Sequence, residues 1–266
     1  VSKRSDFTLA QLLQEIEPLL LANSDYRVLT KQDSPAPGLA LLERSLQAAG
    51  FAVSKRSDFT LAQLLQEIEP QFLSSVAPGD TCFIFYVGQA MQAGDDNYLL
   101  PVDFDPASTA PIDQRARSVI GLQQALDAKR AGLKMVVLHP AAQDPRLLAL
   151  STGPGLTIPD VIDVQEIIYA FSSAPNSVIA RQGAAGVDAF TKALAGAMER
   201  PGLTAVAVFS AVQSEVGLAS GQAQTPFFLP KTTMAFRFRE APVESVERAR
   251  PDKDQLRPNR VDRQEY

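Results

Sequence analysis

The one histidine of the chain, His139, and its one cysteine, Cys82, are the side chains best suited to nucleophilic catalysis. Apolar runs over residues 82–87 and 135–138 predict two buried strands, which Cys82 begins and His139 follows. If these strands pair in parallel, the two residues lie roughly 20 Å apart at about 3.3 Å per residue. We therefore expect no thiol–imidazole dyad. Cys82 is interpreted as a buried core thiol, and His139 as a loop histidine or a pH-sensitive contact.

Other residue types could bind ions. Four carboxylates could offer calcium its oxygen ligands, but their spacing matches no EF-hand loop, and we interpret them as a solvated acidic loop: Asp95, Asp96, Asp103 and Asp105. The small residues 183–186 lack the glycine pattern and lysine of a phosphate-binding loop, which favours an ordinary helix start. One cysteine and one histidine exclude an intrachain disulfide, a cysteine-based zinc site and an imidazole-cluster site. We expect no metal and no cofactor.

Composition limits the classes of function. The chain has 266 residues, of which 45% are hydrophobic, and this supports one compact domain. A net charge of -5 argues against a general nucleic-acid surface. No apolar run approaches the roughly 18 residues of a membrane span, and the first residues lead into no signal-peptide core. The expectation is a cytoplasmic protein that contacts neither nucleic acid nor membrane.

Residues 1–18 recur letter for letter at 53–70. A single perfect copy is not a solenoid, and it indicates a recent duplication or an artefact of sequence assembly. Both copies predict amphipathic helices, with faces formed by Leu9, Leu12, Leu13 and Ile16, and by Leu61, Leu64, Leu65 and Ile68. Our hypothesis is that the second copy is the native element, because it lies between two predicted strands. Residues 1–18 would then be an exposed or mispacked extension.

Strand and helix patterns alternate along the rest of the chain. Strands are predicted at 19–22, 51–54, 81–87, 133–138, 166–171 and 232–237, and helices at 39–49, 59–76, 121–130, 187–198 and 204–216. This alternation predicts a three-layer α/β/α sandwich with a mostly parallel central sheet over residues 19–237. The charged, proline-dotted residues 238–266 predict a disordered tail. Ligand sites in such sheets lie beyond the carboxyl ends of the strands, where the loops at Gly88-Gln89-Ala90 and at 139–142 both fall.

Two segments carry a resemblance to a known family. Residues 83–92, followed by Asn97-Tyr98-Leu99-Leu100-Pro101-Val102-Asp103, resemble the caspase-like peptidases, including metacaspases and their prokaryotic relatives. The family pattern is a hydrophobic strand, Ser-Gly-His-Gly, and then Asn-Tyr-Leu-Ile-Pro-Val-Asp. Further similar segments extend the resemblance over residues 19–237: 21–26, 49–51, 189–194 and 224–226. The resemblance implies a caspase-like fold.

The resemblance also assigns the catalytic positions. The family histidine falls on Gln89 and the family cysteine on Ala141, and their separation, 141 minus 89, is 52 residues, as the roughly fifty residues between histidine and cysteine in caspases require. Glutamine cannot cycle a proton near neutral pH, and alanine has no nucleophile. The acid that precedes the cysteine in the metacaspase-like branch, where it helps to bind a basic substrate side chain, is replaced by His139. The resemblance therefore implies an inactive dyad within a candidate cleft formed by Gly88, Gln89, His139 and Ala141.

Three classes of function remain. The favoured class is a catalytically inactive caspase-like domain, a pseudoprotease, that binds a peptide or protein or regulates an active paralogue. The second is a hydrolase with non-standard residues at the same cleft, for instance Ser172 or Ser173 after the fifth strand. For these serines the sequence supplies no acid or base at a suitable spacing. The third is a structural domain without cleft function.

Overall fold

A six-stranded sheet organises the residues that the computed structural model describes, which are 16–160, 164–177 and 186–241. Its strands are β1 (Ile16–Ala22), β2 (Ser54–Ser57), β3 (Thr81–Gly88), β7 (Lys134–Pro140), β8 (Ile167–Phe171) and β9 (Phe227–Lys231). Their spatial order is β2-β1-β3-β7-β8-β9, and every neighbouring pair is parallel except β8 and β9. The predicted mostly parallel sheet is confirmed.

Helices cover both faces of this sheet. One face packs against α1 (Ala36–Ala48), α5 (Ala189–Met198) and α6 (Ala205–Ala219). The other face packs against α4 (Val119–Ala128) and a helical segment made of α2 (Leu61–Gln63), a π-helical turn (Leu64–Ile68) and α3 (Glu69–Ser75). The three-layer α/β/α architecture is thus the one predicted. None of the helices in the described residues is both long and apolar enough to cross a membrane.

The central strands are apolar along their whole length because both of their faces are buried. In β3, Phe83 and Phe85 face the α1, α5 and α6 layer, whereas Ile84 and Tyr86 face the opposite layer. Strand β7 alternates in the same way. This double burial is why the two runs that lead to the candidate cleft are so distinct in the sequence.

A second, small sheet was not predicted. It contains β4 (Ala90–Ala93), β5 (Asp96–Leu99) and β6 (Arg117–Ser118), all antiparallel. Each of its strands has four residues or fewer, which is too short for a periodic pattern to be recognised. In this sheet the first residues of the Asn-Tyr-Leu-Leu-Pro-Val-Asp block lie in β5 and pair with β4, the strand that follows the loop after β3.

The repeated sequence adopts two different structures. Ile68-Glu69-Pro70, from the second copy, is helical, whereas the identical Ile16-Glu17-Pro18 belongs to β1 and pairs with Thr81–Phe83 of β3. The helix predicted for the first copy is therefore wrong at Ile16, and residues 1–15 lie outside the described residues. The apolar residues 19–22 that follow the first copy extend the strand, and this flanking sequence decides between strand and helix.

The π-helical turn in the second copy has a cause in the sequence. Pro70 has no backbone N–H to donate four residues back, and its ring crowds the preceding turn. The segment accommodates the proline by widening at Leu64–Ile68 before regular helix resumes at Glu69. Leu64 and Ile68 are buried as the amphipathic pattern predicts, but Leu65 is 42% exposed.

Two predicted strands are displaced. The strand predicted at 51–54 lies at Ser54–Ser57, as an exposed edge strand. The last strand, predicted at 232–237, is wrong: β9 ends at Lys231, and Arg237 forms only an isolated bridge with Thr204. The hydroxyl of Thr232 and the backbone N–H of Thr233 donate to the Glu166 carboxylate instead of to a ladder. Of the predicted tail, residues 242–266 lie outside the described residues.

Candidate functional site

The carboxyl ends of β3 and β7 bring the two predicted loops together. Val87 pairs with His139 and Gly88 with Pro140 in the parallel register. Beyond the strands, the backbone N–H of Ala141 donates to the Gly88 carbonyl at 2.8 Å. The structure therefore brings together Gln89 and Ala141, the two residues that the resemblance assigns to the histidine and cysteine positions.

The side chain of Gln89 joins the two loops. It has no solvent exposure. Its Nε2 donates to the carbonyl of Ala142 at 2.7 Å, and its Oε1 accepts from the backbone N–H of Asp144 at 3.2 Å. We call this pair of hydrogen bonds the Gln89 clamp. Both the nitrogen and the oxygen of the amide are hydrogen-bonded, so the side chain holds together the loops at the carboxyl ends of β3 and β7.

The backbone before the clamp is fixed by two buried tyrosines. The N–H of Gln89 donates to Tyr26 Oη at 2.6 Å, and the hydroxyl of Tyr86 donates to the Gln89 carbonyl at 2.8 Å. Burial raises the pKa of both phenols, so they stay neutral. Gly88 has a φ of 155°, and a Cβ there would lie 2.7 Å from each hydroxyl. Only glycine fits at Gly88 without displacing the tyrosines.

His139 lies within β7, not in the loop that we predicted, and it faces α5. Its ring packs against Phe85 and Phe190, with centroids 6.3 Å and 5.4 Å away. Its Nε2 lies 3.2 Å from Oδ1 of Asp188, the residue that caps α5. Burial opposes the charge on Asp188, but hydrogen bonds from His139 and Thr191 outweigh it and hold the pKa of that carboxyl below its usual range.

Ser172 directly follows β8, the strand that pairs with the strand of His139. Its backbone N–H donates to Leu138 O at 3.0 Å, a bond that belongs to the last β7–β8 pair, Leu138 with Phe171. Continuing the alternation of β8 by one residue beyond Phe171 would direct Ser172 to the same face as His139. Ser172 Oγ and His139 Nδ1 are both buried and have no hydrogen-bond partner among the described residues. The sequence offered no base for Ser172, because the pairing of β7 with β8 is not visible in the sequence.

The loop after β7 is also tied to the loop after β1. The carboxylate of Asp144 accepts hydrogen bonds from the Thr30 backbone at 2.7 Å and from Arg146, whose Nη1 donates to the Val28 carbonyl at 2.5 Å. The hydrogen bonds from Arg146, together with those from Thr30, outweigh burial and hold the pKa of Asp144 well below its usual range. Asp144 thus connects three loops of the candidate site, since its own N–H bonds Gln89.

This arrangement predicts a pH signature for Asp144→Asn. We expect the substitution to lower the free energy of unfolding by about 1–3 kcal/mol at pH 7, because an amide cannot accept from every donor that the carboxylate satisfies. A carboxyl whose pKa is lower in the folded than in the unfolded state stabilises the fold above about pH 4, and this stabilisation is lost as the pH falls through the folded-state pKa. The difference in the free energy of unfolding between the variant and the unmodified protein, measured by urea denaturation, should therefore shrink towards pH 2.

The matched control for this prediction is Asp33→Asn, because Asp33 is exposed. This variant should unfold like the unmodified protein at every pH. If the loss of unfolding free energy in Asp144→Asn stayed constant from pH 7 to pH 2, the charge of Asp144 would not stabilise the fold.

The Asn-Tyr-Leu-Leu-Pro-Val-Asp block holds loops in place. Asn97 is fully buried and exchanges two hydrogen bonds with the backbone of Thr157, at 2.8 and 2.9 Å. Asp103 Oδ1 accepts from the N–H of Leu61 at the start of α2, at 3.1 Å. The Leu100 carbonyl accepts from Asn23 Nδ2 at 3.0 Å. The block thus ties together the segments that contain Asn23, Leu61 and Thr157.

The interpretation of the four carboxylates as a solvated loop is wrong for Asp96. Asp96 is only 9% exposed and accepts from the N–H of Ile120 at 3.0 Å and from the hydroxyl of Ser118. Asp105 is exposed, as expected. Among the described residues, no group of three or more His, Cys, Asp or Glu side chains is placed to hold a metal ion.

Comparisons with known proteins agree with this geometry. The family model for the caspase domain matches residues 19–236. The crystal structure of caspase-1 from Spodoptera frugiperda is similar in fold, with a TM-score of 0.62 and 13% sequence identity, over 87% of this chain and 92% of that one. No curated protein matches in sequence. With the family model spanning most of the sequence, the chain belongs to the caspase domain family.

Proposed function

We propose that this chain is a catalytically inactive caspase-like domain. It binds an extended peptide or protein segment, or regulates an active paralogue, at the surface formed by the loops at the carboxyl ends of β3 and β7. The observation that carries the proposal is the Gln89 clamp. At the position of the proton-transferring histidine lies an amide whose two ends are both bonded to backbone of the neighbouring loop. An amide in this setting can hold two loops together by hydrogen bonds, but it cannot accept and return a proton.

The nucleophile is missing as well. A cysteine peptidase needs a thiolate beside an imidazole, and at the corresponding position Ala141 offers a methyl group. The one thiol, Cys82, lies at the opposite end of β3, next to the start of β7 at Lys134. Burial raises its pKa to about 12, so it is protonated at neutral pH. Cys82 therefore supplies no substitute nucleophile.

Two features support a binding role. The loops at the sheet edge are held in one arrangement by the Gln89 clamp and by Asp144, so a ligand would meet a preorganised surface. These loops also expose large apolar side chains: Val28 is 42% and Leu148 is 58% exposed. Arg146 joins the two loops by donating to the Val28 carbonyl. Apolar side chains on a rigid edge are suited to the side chains of an extended peptide.

The test is fluorescence anisotropy with a panel of extended peptides that vary in apolar, basic and acidic side chains. We expect binding without cleavage, and we expect Leu148→Glu to weaken it at least about tenfold by placing a charge in an apolar contact. Leu218→Glu, on α6, is the matched control, because Leu218 is 76% exposed and outside the proposed edge. Equal affinities for both variants, or no binding by any peptide, would refute the proposed surface.

A second candidate function follows from the placement of Ser172, His139 and Asp188. With the His139 Nε2 hydrogen directed to Asp188, Nδ1 is free to take the Ser172 hydroxyl proton as Oγ attacks a carbonyl carbon. This candidate ranks second, because Ser172 is 1% exposed and makes no hydrogen bond to His139. A fluorophosphonate probe that labels the protein, but not Ser172→Ala, would support it. Absence of labelling would exclude the hydrolase candidate.

A further inference from the structure

A small cavity of about 190 Å³ lies between the start of α2 and the loop that leads from β5 to β6. None of the candidate cleft residues lines it. Its walls carry charges of both signs, an apolar surface and a hydroxyl, from Asp103, Asp105 and Arg115, from Leu61 and Phe104, and from Ser108. The volume is below the 300–1,000 Å³ typical of pockets for drug-sized ligands, so it suits one small molecule.

The guanidinium of Arg115 is held in one position, but no carboxylate of the described residues forms an ion pair with it. Its guanidinium lies 5.3 Å from the centroid of the Phe104 ring, and its Nη1 donates to the Asp105 carbonyl at 3.2 Å. Its Nε is buried and has no hydrogen-bond partner among the described residues. No ion pair within those residues involves Arg115. A fixed guanidinium with unused donors is suited to a carboxylate.

The two carboxylates of the cavity are also anchored. Asp103 Oδ1 accepts from the backbone N–H of Leu61 at 3.1 Å, and Asp105 Oδ1 accepts from that of Ala107 at 2.9 Å. These bonds fix each side chain and engage only one of its oxygens. Neither carboxylate forms an ion pair with Arg115 across the cavity, so the opposite charges line one space without neutralising each other.

We propose that this cavity binds a small free α-amino acid. The ligand carboxylate bonds the Arg115 guanidinium, and the ligand ammonium bonds Asp103 or Asp105. Its side chain lies against Leu61 and Phe104. Two carboxylates against one guanidinium give the walls a net negative charge, which disfavours a phosphate dianion and favours a ligand that carries both signs.

Isothermal titration calorimetry with glycine, L-alanine and L-serine tests the proposal. We expect saturable binding of at least one of the three, and at least about tenfold weaker binding in Arg115→Met, because a charge-assisted hydrogen bond is lost. N-acetylglycine lacks the ammonium and glycinamide lacks the carboxylate, so each should bind at least about tenfold more weakly than glycine. Inorganic phosphate should not bind.

Matched variants distinguish the loss of a contact inside the cavity from a general effect of changing the charge of the protein. Asp105→Asn removes one charge at an exposed position, and Asp103→Asn keeps an oxygen that can accept from Leu61, so both should fold and bind more weakly. Arg44→Met on α1 and Asp113→Asn lie outside the cavity lining and should bind normally. The proposal is overturned if no amino acid binds, if glycinamide or N-acetylglycine binds as well as glycine, or if Arg44→Met is as damaging as Arg115→Met.

Discussion

Replacing Arg117 by methionine should lower the free energy of unfolding by about 3–5 kcal/mol. Arg117 donates from Nε and Nη2 to the two carboxylate oxygens of Glu69, at 2.7 and 2.6 Å. The side chains are only 16% and 11% exposed. The substitution leaves Glu69 charged, buried and without its partner, which costs far more than the pair contributes when it is intact. Urea denaturation at pH 7 measures the loss.

Two further variants show whether the loss comes from the unpaired charge. Arg117→Met combined with Glu69→Met removes both charges, and it should recover most of the stability because apolar groups of similar volume can replace a buried ion pair. Lys31→Met breaks an exposed ion pair with Asp25 and should leave the free energy of unfolding nearly unchanged. If the double variant were no more stable than Arg117→Met alone, the loss would come from packing and not from the unpaired charge of Glu69.

Gln89→Ala is expected to have the second large effect, a loss of about 2–4 kcal/mol. It removes a fully buried side chain and leaves the Ala142 carbonyl and the Asp144 N–H without their partner. Because the clamp joins two loops, the substitution should also speed hydrogen exchange at the Asp144 amide. Denaturation combined with amide exchange measured by NMR tests both effects.

The control for Gln89→Ala is Gln71→Ala. Gln71 is an exposed glutamine whose amide oxygen accepts a hydrogen bond from Arg56. Removing an exposed amide should change the stability little, and it should leave exchange at Asp144 unchanged. If the two variants lost similar amounts of stability, or if hydrogen exchange at the Asp144 amide were unchanged in Gln89→Ala, the Gln89 amide would not hold the loops together.

The sequence predicted the main sheet because its signal is local and strong. Strands β3 and β7 are buried on both faces, so each is a continuous apolar run that ends at the candidate site. The family resemblance assigned Gln89 and Ala141 to the dyad positions, and both loops were expected at the carboxyl ends of a mostly parallel sheet, where the structure brings them together. The Gln89 clamp was not predictable in this way, because it depends on where the loop places a carbonyl and an N–H two residues apart.

Other features depend on contacts between residues distant in sequence. Glu69 and Arg117 are 48 residues apart, and no local pattern pairs them. The Ile-Glu-Pro tripeptide is a strand at Ile16 and a helix at Ile68, so these three residues alone do not determine their own structure. The final strand was misplaced because Glu166, distant in sequence, binds Thr232 and Thr233. Sequence alone therefore predicts the positions of the loops better than it predicts the bonds that hold them.

The most direct test of the proposed inactivity is turnover of a peptide panel with basic and with acidic residues at the cleavage position, followed by mass spectrometry. Because the resemblance assigns Gln89 and Ala141 to the dyad positions, we expect no product above the protein-free control at any pH from 5 to 9. Cleavage that survives repurification, and that is lost in a Gln89 or His139 variant shown by denaturation to be folded, would contradict the account.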